Sequence, residues 1–151
     1  MNIPRLIYSN NIFARFVLRV LCKLQGAEIP PFRNIGKNIK FPHGLKGIVI
    51  HPSTIIGDNV TIFHQVTCGR GDMYNIDKRV KETAFEGITI QDGAILCAGA
   101  KIICNRGNLI VGNNTIVGAN AVLTKSTGED EVWGGVPARL IKKRDFNTTQ
   151  K

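Results

Sequence analysis

Aliphatic residues recur every six positions along most of the chain: Ile50, Ile56 and Ile62; Ile90, Leu96 and Ile102; Val111, Val117 and Leu123; with Ile35 and Phe41 as an earlier pair. A helix would scatter every sixth side chain around its circumference, and a hairpin sheet would not turn so regularly. Gly, Asn or Asp follows several of these positions, as in Ile56-Gly57-Asp58-Asn59, Ile90-Gln91-Asp92-Gly93 and Val111-Gly112-Asn113-Asn114. These residues tolerate positive φ, so each hexad reads as a short strand plus a corner with its aliphatic side chain pointing inward. No single coil of such strands can bury its inner face alone. The pattern therefore predicts an all-β solenoid whose parallel strands stack about 4.8 Å apart.

The register breaks in three places. Between Cys68 and Ile90 the period is lost, and the polar stretch 69–86 reads as an extruded loop, the kind of segment that carries function on a rigid scaffold. The steps Phe41 to Ile50 and Ile102 to Val111 are nine residues long and read as corners with three extra residues each. With that correction, positions 41, 50, 56 and 62 complete one circuit, so Phe41 and Ile62 lie on one face of adjacent coils. His43 and His64 each follow two residues later and should stack on an outward wall about one strand spacing apart, a candidate acid/base pair. His51, at a corner before Pro52, reads as structural.

Three segments follow: a helical one at 1–34, the β-helix at 35–140 with its loop at 69–86, and a basic tail at 141–151. From Arg5 to Gln25, Phe13, Phe16, Val17, Val20, Leu21 and Leu24 fall three and four apart, with Arg15, Arg19 and Lys23 on another face. The expected role is packing on the domain or a neighbouring subunit, with contact to an anionic membrane surface as the alternative.

The 151 residues, 43% of them hydrophobic, suit one domain, and the formal charge of +9 favours anionic partners over cationic ones. Basic residues are not interleaved with aromatics for base stacking, so nucleic acid is not expected. No apolar run of about 18 residues stands in the sequence, which predicts a cytoplasmic protein. Cys22, Cys68, Cys97 and Cys104 form no C-x-x-C pair and read as small core residues, and His43, His51 and His64 lack partners at a metal-ligand spacing, so no metal is expected.

Six motifs carry a resemblance: Gly-Ile-Val-Ile at 47–50, Ile-Gly-Asp-Asn-Val-Thr-Ile at 56–62, Val-Thr-Cys-Gly at 66–69, Ala-Gly-Ala-Lys-Ile at 98–102, Val-Gly-Ala-Asn-Ala-Val at 117–122 and Gly-Gly-Val-Pro-Ala-Arg at 134–139. In this order they resemble the hexapeptide-repeat acyltransferases, and Gly47 to Arg139 is most similar to the serine acetyltransferase branch. The resemblance implies a left-handed parallel β-helix with three hexads per coil, a homotrimer, and transfer of an acetyl group from acetyl-CoA to a hydroxyl. It implies His43 as general base, a task that suits imidazole, and His64 as an acceptor contact or auxiliary. Gly69, Ala98, Gly99 and Ala119 would flank the pantetheine arm, where small residues permit close approach. Lys125, Arg139, Lys142 and Lys143 would meet the nucleotide phosphates, and Trp133 would cap the last coil.

Departures from that branch bear on the acceptor. Pro42 stands where the serine enzymes place an Asp before the base, Glu86-Gly87-Ile88 stands in place of an Arg-His-Pro, and only about 35 residues precede the first hexad. Asp72 or Glu86 would have to supply a carboxylate from the loop. The expected acceptor is accordingly a sugar hydroxyl of a surface polysaccharide or its precursor, with serine as the alternative. A non-catalytic β-helix is the reading of a different class. A zinc carbonic anhydrase on the same fold is disfavoured, because only His64 has even a loose counterpart among its ligands.

Overall fold

The computed structural model describes residues 6–9, 11–30, 32–71 and 85–145. The strands form three parallel walls. The first is β1 (Val49–Ile50), β4 (Thr67–Arg70), β7 (Lys101–Cys104) and β10 (Val122–Leu123). The second is β2 (Thr54–Ile56), β5 (Phe85–Ile90) and β8 (Gly107–Val111). The third is β3 (Thr61–Ile62), β6 (Ile95–Leu96), β9 (Ile116–Val117) and β11 (Glu131–Gly135), closed by the antiparallel β12 (Ala138–Lys143). Successive strands from β1 to β10 visit the three walls in turn, which is the parallel solenoid expected from the hexads.

Each predicted aliphatic points inward. Ile50, Cys68, Ile102 and Leu123 form one buried ladder, Ile56, Ile90 and Val111 a second, and Ile62, Leu96, Val117 and Trp133 a third. A second inward position, two residues earlier, holds Ile48, Val66, Ala100 and Ala121 on the first wall, all fully buried. Between the second and third walls the backbone is left-handed at Asn38, Asn59, Gly93, Asn114 and Asp130, with φ of 57°, 58°, 67°, 53° and 56°. Side chains tie these corners together: Asp58 Oδ1 accepts from the Lys37 amide, Asp92 Oδ1 from Asp58, and Asn113 Oδ1 from Asp92. A Cβ on Gly36 would lie 2.4 Å from the Gly57 carbonyl oxygen of the next coil, so glycine is required there by the stacking itself.

Several boundaries differ from those expected. The solenoid starts before residue 35, because Glu28 already bridges to Val49. The loop is shorter than 69–86, since Gly69 and Arg70 end β4, paired with Ile103 and Cys104, while Phe85 and Glu86 begin β5. Strand pairing needs only backbone groups, so it outlasts the aliphatic period. β12 runs to Lys143, so any tail begins later than 141. The helix α1 spans Ile12–Gln25; Asn11 caps it and Gly26 ends it at φ 60°, while Arg5, where the sequence pattern starts, lies outside the described residues.

Two of the four cysteines, Cys68 and Cys104, are core residues, Cys22 packs against the core from its edge, and Cys97 lies outside it. Cys68 and Cys104 are buried, Cys22 and Cys97 half-buried, and burial pushes the Cys68 thiol up to about 12. At pH 8 only about one Cys68 in 10⁴ would be thiolate. Native protein treated with iodoacetamide should therefore be alkylated at Cys97 and Cys22 well before Cys68; rapid modification of Cys68 would mean that the first wall opens.

Candidate active site

His43 and His64 meet as the register predicts. Lys40 pairs with Thr61, which sets residue 43 over residue 64, and the two imidazoles make an edge-to-face contact with ring centroids 5.1 Å apart. His43 is exposed, and its other ring neighbour is Phe63 at 5.7 Å. His64 is half-buried, and its Nδ1 is buried with no hydrogen-bond partner among the described residues. An orphaned buried polar atom of this kind costs about 1–3 kcal/mol.

The scaffold under the pair is built from both ends of the chain segment. The turn carrying His43 is held by α1: the Leu45 amide donates to Gln25 Oε1 at 2.8 Å, and the Gly47 amide donates to the Gln25 carbonyl at 2.8 Å. The turn carrying His64 is held by the coils beside it. The Gln65 amide donates to the Lys46 carbonyl at 2.8 Å, the Gly99 amide to the His64 carbonyl at 3.0 Å, and the Lys101 ammonium to the Gln65 carbonyl at 2.7 Å. Gln65, Gly99 and Asn120 share the left-handed corner conformation, at φ 59°, 70° and 53°. Phe63, Lys101 and Gln25 were not singled out by sequence. Phe63 and Lys101 carry a local signal, each lying next to an inward aliphatic; Gln25 has none.

The same register extends the histidine column. Ile62 pairs through Leu96 to Val117 and on to Trp133, so the positions two residues further on are His64, Ala98, Ala119 and Gly135. The wall beyond the imidazoles is thus a stripe of minimal side chains, with Ala119 and Gly135 exposed and Ala98 half-buried. A Cβ on Gly99 would lie 2.1 Å from Asn120 Oδ1, so this glycine serves the corner. The stripe runs toward the coil that carries the basic residues. The Lys125 ammonium lies 5.5 Å from the Trp133 ring centre, Arg139 pairs with Gly134 and Lys142 with Val132, and all three cations are exposed. Trp133 is buried and its indole donates to Glu131 Oε2 at 2.7 Å, as a cap for the last coil.

The other expected site residues fall elsewhere. Gly69 is a strand residue on the first wall opposite Ile103, away from the histidine column, because β4 continues past Cys68. Glu86 is exposed on the second wall beside the Phe85/Gly87 irregularity, and among the described residues it bonds to neither imidazole. Asp72 lies outside the described residues. His51 is structural, its Nδ1 accepting from the Ser53 amide at 3.1 Å and its ring packing on Phe85 at 5.0 Å. Among the described residues no group of three or more His, Cys, Asp or Glu side chains could hold a metal ion.

No family model matches the chain. It is 33% identical over 132 residues to a serine acetyltransferase of Staphylococcus aureus strain Mu50, covering 87% of this chain and 56% of that protein. With a serine acetyltransferase of Staphylococcus epidermidis it is 32% identical over 139 residues, 91% of this chain and 60% of the relative. The chain therefore spans little more than half the length of these curated relatives. Among solved structures, serine acetyltransferase from Brucella abortus strain S19 superposes with a TM-score of 0.66 at 27% identity, over 88% of this chain and 49% of that one. The same protein in complex with coenzyme A gives 0.68 at 26% identity, over 88% and 48%. The chain is thus a left-handed β-helix of the hexapeptide-repeat type, similar in sequence and in fold to the serine acetyltransferases.

Proposed function

We propose that the protein is an acetyl-CoA-dependent O-acetyltransferase, with His43 as general base. The observation that carries this reading is the single column that begins at the imidazole pair, continues as Ala98, Ala119 and Gly135, and ends beside Lys125, Arg139 and Lys142. An extended pantetheine arm would lie along the small residues with its thioester at the histidines and its phosphates at the cations. His43 would take the proton of the acceptor hydroxyl as that oxygen attacks the thioester carbonyl. The tetrahedral intermediate would then collapse, breaking the carbon–sulfur bond, and the imidazolium would return the proton to the CoA sulfur. His64, whose ring stands edge-on to that of His43, would serve as an acceptor contact or auxiliary. A homotrimer, in which a second β-helix forms the opposite wall of the groove, belongs to the same proposal.

For the acceptor, the relatives favour serine, which reverses the order of preference drawn from the sequence. A sugar hydroxyl stays as the second reading on one observation: Pro42 stands directly before His43, and no carboxylate among the described residues bonds its ring. Mass spectrometry of the protein incubated with acetyl-CoA and either serine or oligosaccharides should show a single acetyl increment, on serine in the first reading and on a sugar in the second. Ala119→Trp, which fills the stripe, should weaken CoA binding at least tenfold. Undiminished CoA binding by that variant would remove the stripe from the site, and CoA binding with no transfer to either acceptor class would remove both readings.

A further inference from the structure

Helix α1 turns the wrong side outward for a domain-packing helix. The row that faces the solenoid is Leu18, Cys22 and Gln25, with Leu18 buried and Gln25 bonded to the turn of His43. Of the apolar row expected to pack, Val17 and Leu21 are half-buried, whereas Phe13 at 71%, Phe16 at 62%, Val20 at 39% and Leu24 at 78% are exposed, as is Ile12 at 86%. Arg15, Arg19 and Lys23 are all exposed and spaced four apart, so they line one flank of that stripe. The 14 residues of the helix contain no carboxylate. Lys46, on the turn that Gln25 holds, is also exposed, and the whole chain carries +9.

From this arrangement we infer that α1 docks the protein onto an anionic lipid bilayer, lying in the plane of the interface. Phe13, Phe16, Val20 and Leu24 enter the headgroup boundary, while Arg19 and Lys23 meet lipid phosphates. Charge complementarity selects this occupant over a second copy of the chain: two such stripes brought face to face would set rows of like charge beside each other with no acid on either helix. No helix among the described residues is long and apolar enough to cross a membrane, so the contact is a surface one. The inference stands independently of acetyl transfer, since it uses no residue of the histidine column.

The test is flotation of the full chain with vesicles of phosphatidylcholine alone and of phosphatidylcholine mixed with phosphatidylglycerol. The protein should float with the mixed vesicles only, and rising salt should release it. Arg19→Glu/Lys23→Glu and, separately, Phe16→Ser/Leu24→Ser should each weaken partitioning at least tenfold, with unchanged mass in sedimentation velocity; all four positions are exposed. Failure to float with the mixed vesicles, or equal flotation with both kinds, would overturn the inference. So would a fall in oligomer mass in the Phe16→Ser/Leu24→Ser variant, which would show that another copy covers the stripe.

Discussion

His43→Ala is expected to slow acetyl transfer by at least about two orders of magnitude while leaving CoA affinity within about twofold. The ring is exposed, and its neighbours are the rings of His64 and Phe63. Its backbone position is fixed by the Gln25 bonds to Leu45 and Gly47, which do not involve the side chain. Truncation therefore removes the proton acceptor and little else, and a surface change of this kind should alter stability by less than about 0.5 kcal/mol. The donor stripe at Ala98 and Ala119 lies two and three coils further along and would be untouched. Steady-state kinetics beside CoA titration separate the two quantities: an unchanged dissociation constant with a collapsed turnover supports a base acting in the transition state. Turnover within fivefold of the parent would remove His43 from the chemistry. His64→Ala serves as the contrast, since an acceptor contact should raise KM more than it lowers kcat.

The position of this pair was legible because a solenoid turns sequence distance into spatial register. His43 and His64 are 21 residues apart, one circuit of three hexads plus one three-residue bulge, and the Lys40 to Thr61 bridge places them accordingly. The inward ladders were legible for the same reason. Helix α1 was not. Its periodicity shows that one face is apolar, but not which face meets the protein, and the row Leu18, Cys22, Gln25 was chosen by the Gln25 bonds to a turn 20 residues away in sequence. Strand ends such as Gly69 and Glu86 were misplaced because they pair through backbone groups, which leave no side-chain pattern. The acceptor is the least legible feature: outward residues are free of the packing that imposes the hexad, so only the chemistry of His43 marks the wall.

Leu96→Ala is expected to destabilise the native protein by about 2–5 kcal/mol. Leu96 is fully buried in the third wall between Ile62 below and Val117 above, each in backbone register with it. In many cores the walls of a cavity relax inward, which lowers the cost. Here they cannot easily do so, because parallel ladders hold successive coils about 4.8 Å apart and each inward side chain is fixed by its own strand. Ala94 and Ala100, buried on either side in sequence, are too small to reach into the gap. The void should persist, placing the loss toward the upper part of the range, and the melting temperature should fall by roughly 5–15 °C. Ile55, exposed on the second wall, supplies the control: Ile55→Ala removes a similar side chain from solvent and should change stability by less than about 1 kcal/mol. Urea unfolding of both variants and the parent, at one protein concentration so that assembly contributes equally, measures the difference. A loss below about 1 kcal/mol for Leu96→Ala would mean that the coils close over the cavity, and the rigid spacing that sets His43 over His64 would then lose its physical basis.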